Sequence, residues 1–344
     1  MSLQPAPLDA GRTGNTAAAQ ALSVRVKRAT DGLILPAWRS EDNMLALLRC
    51  IYGAGREDLA FARLLEGHID AVQIVLVRGT QEQAGALQAA VSRGAVLGVW
   101  NADLAQAPLT VQNGQLIGGK AFASGAGLLS HALVTLNAGD RQAVQLVLVD
   151  LAETAPEIDR SWWDVAGMQA SETHLVRWTG TPFDETWKIG KPGDYESEPC
   201  FSGGALRFVA AHAGGVAGLF ERTRDHLQKT GRTGAVEQKA RLVRLYRCAD
   251  LSAGVVRRAA SNWFRQTSEE KLASVAHARM SVCELAEEAL LLAQRSVGAA
   301  SMFKSHPLNR HMMDLTMYLK QPAPDAKIQE VGEAVANGLL VPEF

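Results

Sequence analysis

Gly119-Lys120-Ala121-Phe122-Ala123-Ser124-Gly125-Ala126-Gly127, running into the apolar Leu128 to Leu136, is the pivot of this 344-residue chain. A turn of small residues separates an aromatic and a hydroxyl from a strand-like run. Taken alone, the spacing predicts a β-hairpin edge in which the glycines supply positive φ and Phe122 fills core. Gly125-x-Gly127 also has the look of a dinucleotide loop, but position 130 is serine and nothing helical opens there. The surroundings of the stretch therefore decide its meaning.

Composition bounds those surroundings. Hydrophobic residues make up 47% and charged residues 21%, the balance of a soluble globular protein with a sizeable core. With 35 basic against 36 acidic residues the net charge is −1, and no basic stripe with interleaved aromatics exists, which argues against a nucleic-acid partner. No apolar run approaches the roughly 20 residues that cross a bilayer, so no membrane partner is expected. Met1 to Ala21 lacks an apolar signal core and reads as a loose polar lead-in. Cys50, Cys200, Cys248 and Cys283 are scattered without a C-x-x-C pair, which fits a reducing, cytoplasmic setting.

Working outward, the periodicity changes twice. Asp42 to Ile51, Asp58 to Arg78 and Gln81 to Ser92 carry helical spacing, with Gly79-Thr80 as a stop. From Val96 the chain shows short β-rich runs: Val96 to Trp100, Leu109 to Val111, Leu116 to Phe122, His131 to Leu136, Val144 to Val149 and Leu175 to Trp178. Asn113-Gly114 is a strong hairpin signal, and Asn137-Ala138-Gly139-Asp140 is a second turn. Helical register returns over Ala205 to Lys229, Ala235 to Trp263 and Ser268 to Arg295. His306-Pro307 opens a last short helix that Pro322-x-Pro324 breaks. The prediction is an α+β chain: N-terminal helices over 1–93, a central antiparallel β-domain over 94–190 and a C-terminal helical bundle over 191–344.

That order, with particular residues, resembles the acyl-CoA dehydrogenase family of flavoproteins over about Arg56 to Lys320. Gly55-Arg56-Glu57-Asp58-Leu59 with Glu66-Gly67-His68 looks like the end of the family's N-terminal helical domain, here shortened. Trp163-Asp164-x-x-Gly167-Met168-x-Ala170-Ser171 is similar to its "W-x-x-x-G-M-R-A-T/S" turn. Gly298, Pro307 and Asp314 keep the spacing of its "G-G-x-G … P … R-D" framework. The resemblance implies FAD as cofactor. It gives Phe122 the place of an aromatic packed on the isoalloxazine ring and Ser124 the hydroxyl that bonds flavin N5. Trp100 and Asn101, ending the Gly98-Val99-Trp100-Asn101 run, fall where the family has a second flavin-contacting strand; read without the resemblance they are a core tryptophan and a strand-end turn. Dehydrogenation across Cα–Cβ of an acyl-CoA or related small molecule is the implied reaction. A homodimer or homotetramer is the implied assembly, and Gly214, Gly215, Gly218, Ala286 and Ala289 permit the close helix packing that it needs.

Several positions depart from the pattern. The arginine that grips a neighbouring subunit's FAD phosphates falls on Leu227, with Lys229, Arg232 and Arg295 as the nearest substitutes. Met313 replaces the arginine of "R-D". The family's catalytic glutamate falls on Pro322 at one of its two known locations and near Leu206-Arg207 at the other, and no carboxylate stands at either; Asp325 lies three residues beyond the first. The catalytic residue is thus left unassigned, and slow or absent oxidation of straight-chain acyl-CoAs is expected. Phe122-Ala123-Ser124-Gly125 also looks like the strand of flavin-dependent monooxygenases of the same fold, which is the second reading. A third is a catalytically degenerate binding or assembly subunit. Metal hydrolysis and serine hydrolysis find no motif: there is no H-E-x-x-H, and neither Ser124 nor Ser202 lies in G-x-S-x-G.

Overall fold

A computed structural model describes residues 16–137, 144–320 and 324–342, with side chains left undescribed at 16, 137, 324 and 325 as well. Helices α1 (Thr16–Thr30), α2 (Glu41–Glu57), α3 (Leu59–Arg78) and α4 (Gln81–Ser92) come first. Among the described residues eight strands follow: β1 (Leu97–Trp100), β2 (Thr110–Gln112), β3 (Gln115–Ala123), β4 (His131–Asn137), β5 (Val144–Asp150), β6 (Glu157–Asp159), β7 (His174–Pro182) and β8 (Lys188–Ile189). The chain ends in α5 (Cys200–Gly203), α6 (Ala205–Lys229), α7 (Val236–Asn262), α8 (Ser268–Val297), α9 (Pro307–Tyr318) and α10 (Pro324–Ala336). Helices, then strands, then helices is the order expected from the change of period. The turn at 138–143 and Pro322 lie outside the described residues.

By contacts the chain forms two compact units. The first holds 1–36, 64–165 and 169–197; the second holds 37–63, 166–168 and 198–344. In the first, two four-stranded sheets run β1-β4-β5-β8 and β2-β3-β7-β6. The predicted antiparallel pairing holds for every pair in these sheets except β1–β4, which is parallel with Leu97 opposite His131. The chain leaves the first sheet after β1, forms the β2–β3 hairpin in the second and returns at β4, and a crossover of that length permits a parallel pair. Asn113 (φ 52°) and Gly114 (φ 73°) make the predicted hairpin turn between β2 and β3. Ala71, Val72 and Val75 of α3, Leu87 of α4, and Leu97, Leu133, Leu146 and Ile189 of the first sheet form one buried cluster.

The second unit rests on a close crossing of α2 and α6. A Cβ on Gly214 would stand 2.1 Å from the Tyr52 carbonyl oxygen, and one on Gly55 would stand 2.2 Å from that of Ala211. Both contacts are possible only without side chains. A Cβ on Gly218 would meet the Arg56 carbonyl oxygen and the His311 ring, each at 2.6 Å, and one on Gly215 would meet Leu59 and Leu315 at 3.0 Å. Ala286 and Ala289 are fully buried within the same unit. The small residues read from the sequence as an interface between subunits are thus used inside one chain. Arg222 closes the crossing by donating to the Arg56 (3.0 Å) and Glu57 (2.9 Å) carbonyls at the C-terminus of α2. The helix opened by His306-Pro307 ends at Tyr318, ahead of Pro322-x-Pro324 as expected, and a further helix that sequence reading did not foresee, α10, opens at Pro324. No disulfide joins Cys50, Cys200, Cys248 and Cys283, and no helix among the described residues is long and apolar enough to cross a membrane.

Candidate functional site

The pairing of β3 with β7 slips between Lys120 and Ala123, and the slip turns one residue the wrong way. That residue is Phe122. Its φ is +54°, rare for a bulky side chain, and it is 53% exposed rather than filling core. Bulges re-aim side chains in this way beside functional sites. The ring is braced edge-on by Trp162 (centroids 4.8 Å apart, planes at 81°) and Trp163 (6.3 Å, 87°), which stack on each other at 5.8 Å and 27°. Edge-to-face contacts of this kind hold an aromatic in a fixed attitude.

Two residues on, Ser124 is held from both ends. Its carbonyl accepts the indole N–H of Trp100 at 3.0 Å, and its hydroxyl oxygen accepts from Thr173 at 3.0 Å. Trp100 is 1% exposed, tilted against Trp178, so its indole offers no face to solvent. The turn after Ser124 docks on the segment before β7: Gly125 N–H donates to the Ser171 carbonyl and Ala126 N–H to that of Glu172. Glu172, at φ 44°, accepts from Arg160 Nη1 at 3.0 Å and lies 2.9 Å from His174 Nε2.

Asn101 is exposed just past β1. Its carbonyl accepts from Thr135 Oγ1 at 3.0 Å and from Lys120 Nζ at 3.4 Å. Lys120 is wholly buried, with Nζ 2.5 Å from Asp103 Oδ1 and 2.6 Å from Thr135 Oγ1. Burial pushes its pKa down, against the opposing pull of Asp103. Phe122, Ser124, Trp100 and Asn101 all lie in the first unit, with Trp100 bonded to Ser124, Asn101 to Lys120 and Thr135, and Phe122 packed on Trp162 and Trp163. Sequence reading missed Thr173, Trp162 and Lys120. The signals were a Trp-Trp pair beside Gly167-Met168 and one charge inside an apolar strand.

The second unit shows what the resembling motifs do. Asp314 Oδ1 accepts the Met168 N–H at 2.5 Å, and a Cβ on Gly167 would lie 2.0 Å from the Met313 carbonyl oxygen. The Gly-Met turn and the aspartate of the C-terminal framework are each other's partners, and Met168 takes φ 60° to make the contact. Burial raises the Asp314 pKa, opposed by the Met168 N–H and Arg310. Gln238 is buried and donates to the Ser296 carbonyl at 3.3 Å, tying α7 to α8. Leu227 is fully buried, while Lys229, Arg232 and Arg295 are exposed. Leu206 is buried and apolar. The side chain of Asp325 lies outside the described residues. Among the described residues no group of three or more His, Cys, Asp or Glu is placed to hold a metal.

No family model matches this sequence, and no curated protein does. Solved structures do. Butyryl-CoA dehydrogenase from Megasphaera elsdenii superposes with a TM-score of 0.77 at 13% identity, covering 94% of this chain and 90% of that one. The dibenzothiophene monooxygenase TdsC from Paenibacillus sp. A11-2, in complex with FMN and indole, gives 0.76 at 17%, covering 94% and 96%. KijD3 in complex with FMN and dTDP-3-amino-2,3,6-trideoxy-4-keto-3-methyl-D-glucose gives 0.72 at 18%, covering 96% and 89%. Coverage of nearly the whole chain at such scores shows that it has the acyl-CoA dehydrogenase fold, as its sequence motifs implied.

Proposed function

We propose that this chain is a flavin-dependent oxidoreductase whose flavin ring rests against the surface formed by Phe122, Ser124 and the Trp162–Trp163 pair. The observation that carries the reading is Phe122 itself: a bulky aromatic kept at φ +54°, half exposed and braced edge-on. Backbone strain of that kind costs about 1–3 kcal/mol and persists at ligand sites. The residues present suit the ring, offering an apolar face with a hydroxyl at its border. The bound flavin supplies two-electron chemistry at N5. Trp100 then acts from behind, fixing the Ser124 carbonyl, and Asn101 stands on the loop that Lys120 pins. FAD is the cofactor that the resemblance implies. The burial of Leu227, with no cation at that position, favours FMN as the alternative, because a mononucleotide needs no second phosphate anchor.

Of the two reactions, oxygen transfer from reduced flavin to a small organic substrate is better supported than thioester dehydrogenation. Abstracting the α-proton of a thioester needs a carboxylate within hydrogen-bond reach, and buried Leu206 cannot take a proton. Oxygen consumption by the flavin-loaded protein under a supplied reductant, compared with anaerobic bleaching by acyl-CoAs of several chain lengths, tests the choice. Oxygen uptake without bleaching is expected; rapid bleaching that survives Asp325→Asn reverses it. A colourless protein with no flavin affinity leaves the degenerate subunit. A homodimer or homotetramer remains part of the proposal, supported by Val243, Tyr246 and Leu251 exposed on α7. A monomer by light scattering at micromolar concentration removes that part.

A further inference from the structure

Gly338, at φ 72°, ends α10 in a Schellman turn: the Leu339 N–H donates to the Ala334 carbonyl at 2.8 Å and the Gly338 N–H to that of Val335 at 3.1 Å. The chain is turned back, and 339–342 become one wall of a cavity of about 380 Å³ against α7 and α8, all within the second unit. Small-molecule sites run from about 300 to 1,000 Å³. The apolar lining comes from Val255 and Ala259 of α7, Val335 of α10, and Leu339, Leu340 and Val341.

The polar lining holds one full charge. No Asp or Glu lines the cavity, whereas Arg258 of α7 does, and no acidic side chain pairs with it among the described residues. A groove continues the cavity past Arg258 and His277; its one carboxylate, Asp250, lies a little over two turns back on α7, about 12 Å along the helix. His277 is no second cation at neutral pH, because burial and Arg258 push its pKa below 6.5 against the pull of Glu284. Gln266, also in the lining, donates Nε2–H to Ser274 Oγ at 2.8 Å, and its Oε1 is buried without a partner. Turned over, the same amide accepts from the Ser274 hydroxyl and leaves an N–H unmatched instead. Either way the lining keeps one unused polar group. Apolar walls, a cation and no carboxylate are complementary to an amphipathic anion and exclude an amine.

We propose that the second unit carries a binding site for a small monocarboxylate with an apolar chain or ring, its carboxylate on Arg258 and its body between α7, α8 and 339–342. The planar guanidinium suits a carboxylate because it donates two parallel N–H bonds. The inference does not rest on the flavin reading; it adds a ligand site in a different unit from Phe122.

The probe is octanoate, titrated into the full chain by calorimetry at neutral pH. Octan-1-ol is the chain without the charge, and acetate is the charge without the chain. Saturable binding of octanoate is expected, with the other two at least about tenfold weaker. Arg258 is exposed, so Arg258→Gln should fold; it is expected to weaken octanoate about tenfold and leave octan-1-ol unmoved. Val341 is 66% exposed, and Val341→Glu sets a carboxylate in the wall and should weaken octanoate at least as much. Phe122→Ala should bind octanoate like wild type. No saturable binding by wild type, or an affinity unmoved in both Arg258→Gln and Val341→Glu, overturns the proposal. So does binding lost in Phe122→Ala and kept in Arg258→Gln, which would place octanoate at the Phe122 surface. A fall in mass by light scattering as octanoate binds would make the cavity the seat of a second copy of the chain, and also overturns it.

Discussion

Phe122 shows how a residue's role is set by one backbone angle. Alternation along β3 would bury it, and the spacing of the strand predicted that it fills core. The bulge between Lys120 and Ala123 turns it outward instead, to φ +54° and 53% exposure. Replacing it should therefore cost little stability and much ligand affinity. Phe122→Gly relieves about 1–2 kcal/mol of left-handed strain and gives up edge-to-face contacts of similar size. The unfolding free energy by denaturant titration is expected to stay within about 1 kcal/mol of wild type; a loss beyond about 3 kcal/mol would mark a core aromatic after all. At this scale Ser124 was legible because the resemblance supplied its role. Thr173 was not, since its bond to Ser124 joins residues 49 apart in sequence. Lys120 was visible in the quoted stretch, but nothing local says that a strand lysine points at Asn101 and Asp103.

The elements were legible where period and punctuation agree. Ala205 to Lys229 appears as α6 with those bounds, Asn113-Gly114 forms the hairpin, and Thr267 with Glu270 makes the capping box that opens α8. Strands β6 and β8 escaped because three and two residues are too short to show alternation, and they exist only as additions to β7 and β5. The glycines of α6 were seen, but their partners were misassigned: a small-residue face does not say whether it meets another subunit or another helix of its own chain. The α2–α6 crossing makes the assignment testable. Gly214→Ala puts a methyl group against the Tyr52 carbonyl and should cost about 1–3 kcal/mol, whereas Gly254→Ala on α7, with nothing within 4 Å, should be neutral or stabilising. Urea unfolding of the two variants side by side is the measurement. Equal stability would mean that α2 and α6 do not cross so closely.

For the whole molecule, sequence order and three motifs led to the fold, and two of those motifs turn out to hold it together, Gly167-Met168 resting on Met313-Asp314. The same interior makes the protein sensitive to acid. Burial lowers the pKa of His68 and His311 to about 4 and that of His212 to about 3, from 6.5. The unfolded chain takes up protons between these values and 6.5 that the folded chain refuses. Stability is thus complete above about pH 6.5 and falls with pH until the folded values are reached. Each histidine should cost about 2–3 kcal/mol by pH 4.5, enough together to rival the usual margin of about 5–15 kcal/mol. Guanidinium unfolding at pH 7.5, 6 and 4.5 should show a progressive loss; a flat profile would place these rings in water. The central claim, that a flavin ring lies on the Phe122–Ser124 surface, is tested most directly by quenching of tryptophan fluorescence on titration with FMN and FAD, oxidised and reduced. Trp162 and Trp163 flank Phe122, so the account predicts saturable quenching by at least one flavin and an affinity at least about tenfold weaker in Phe122→Ala, about 1.4 kcal/mol. Absence of quenching by any of the four, or affinity unchanged in both Phe122→Ala and Ser124→Ala, would contradict it.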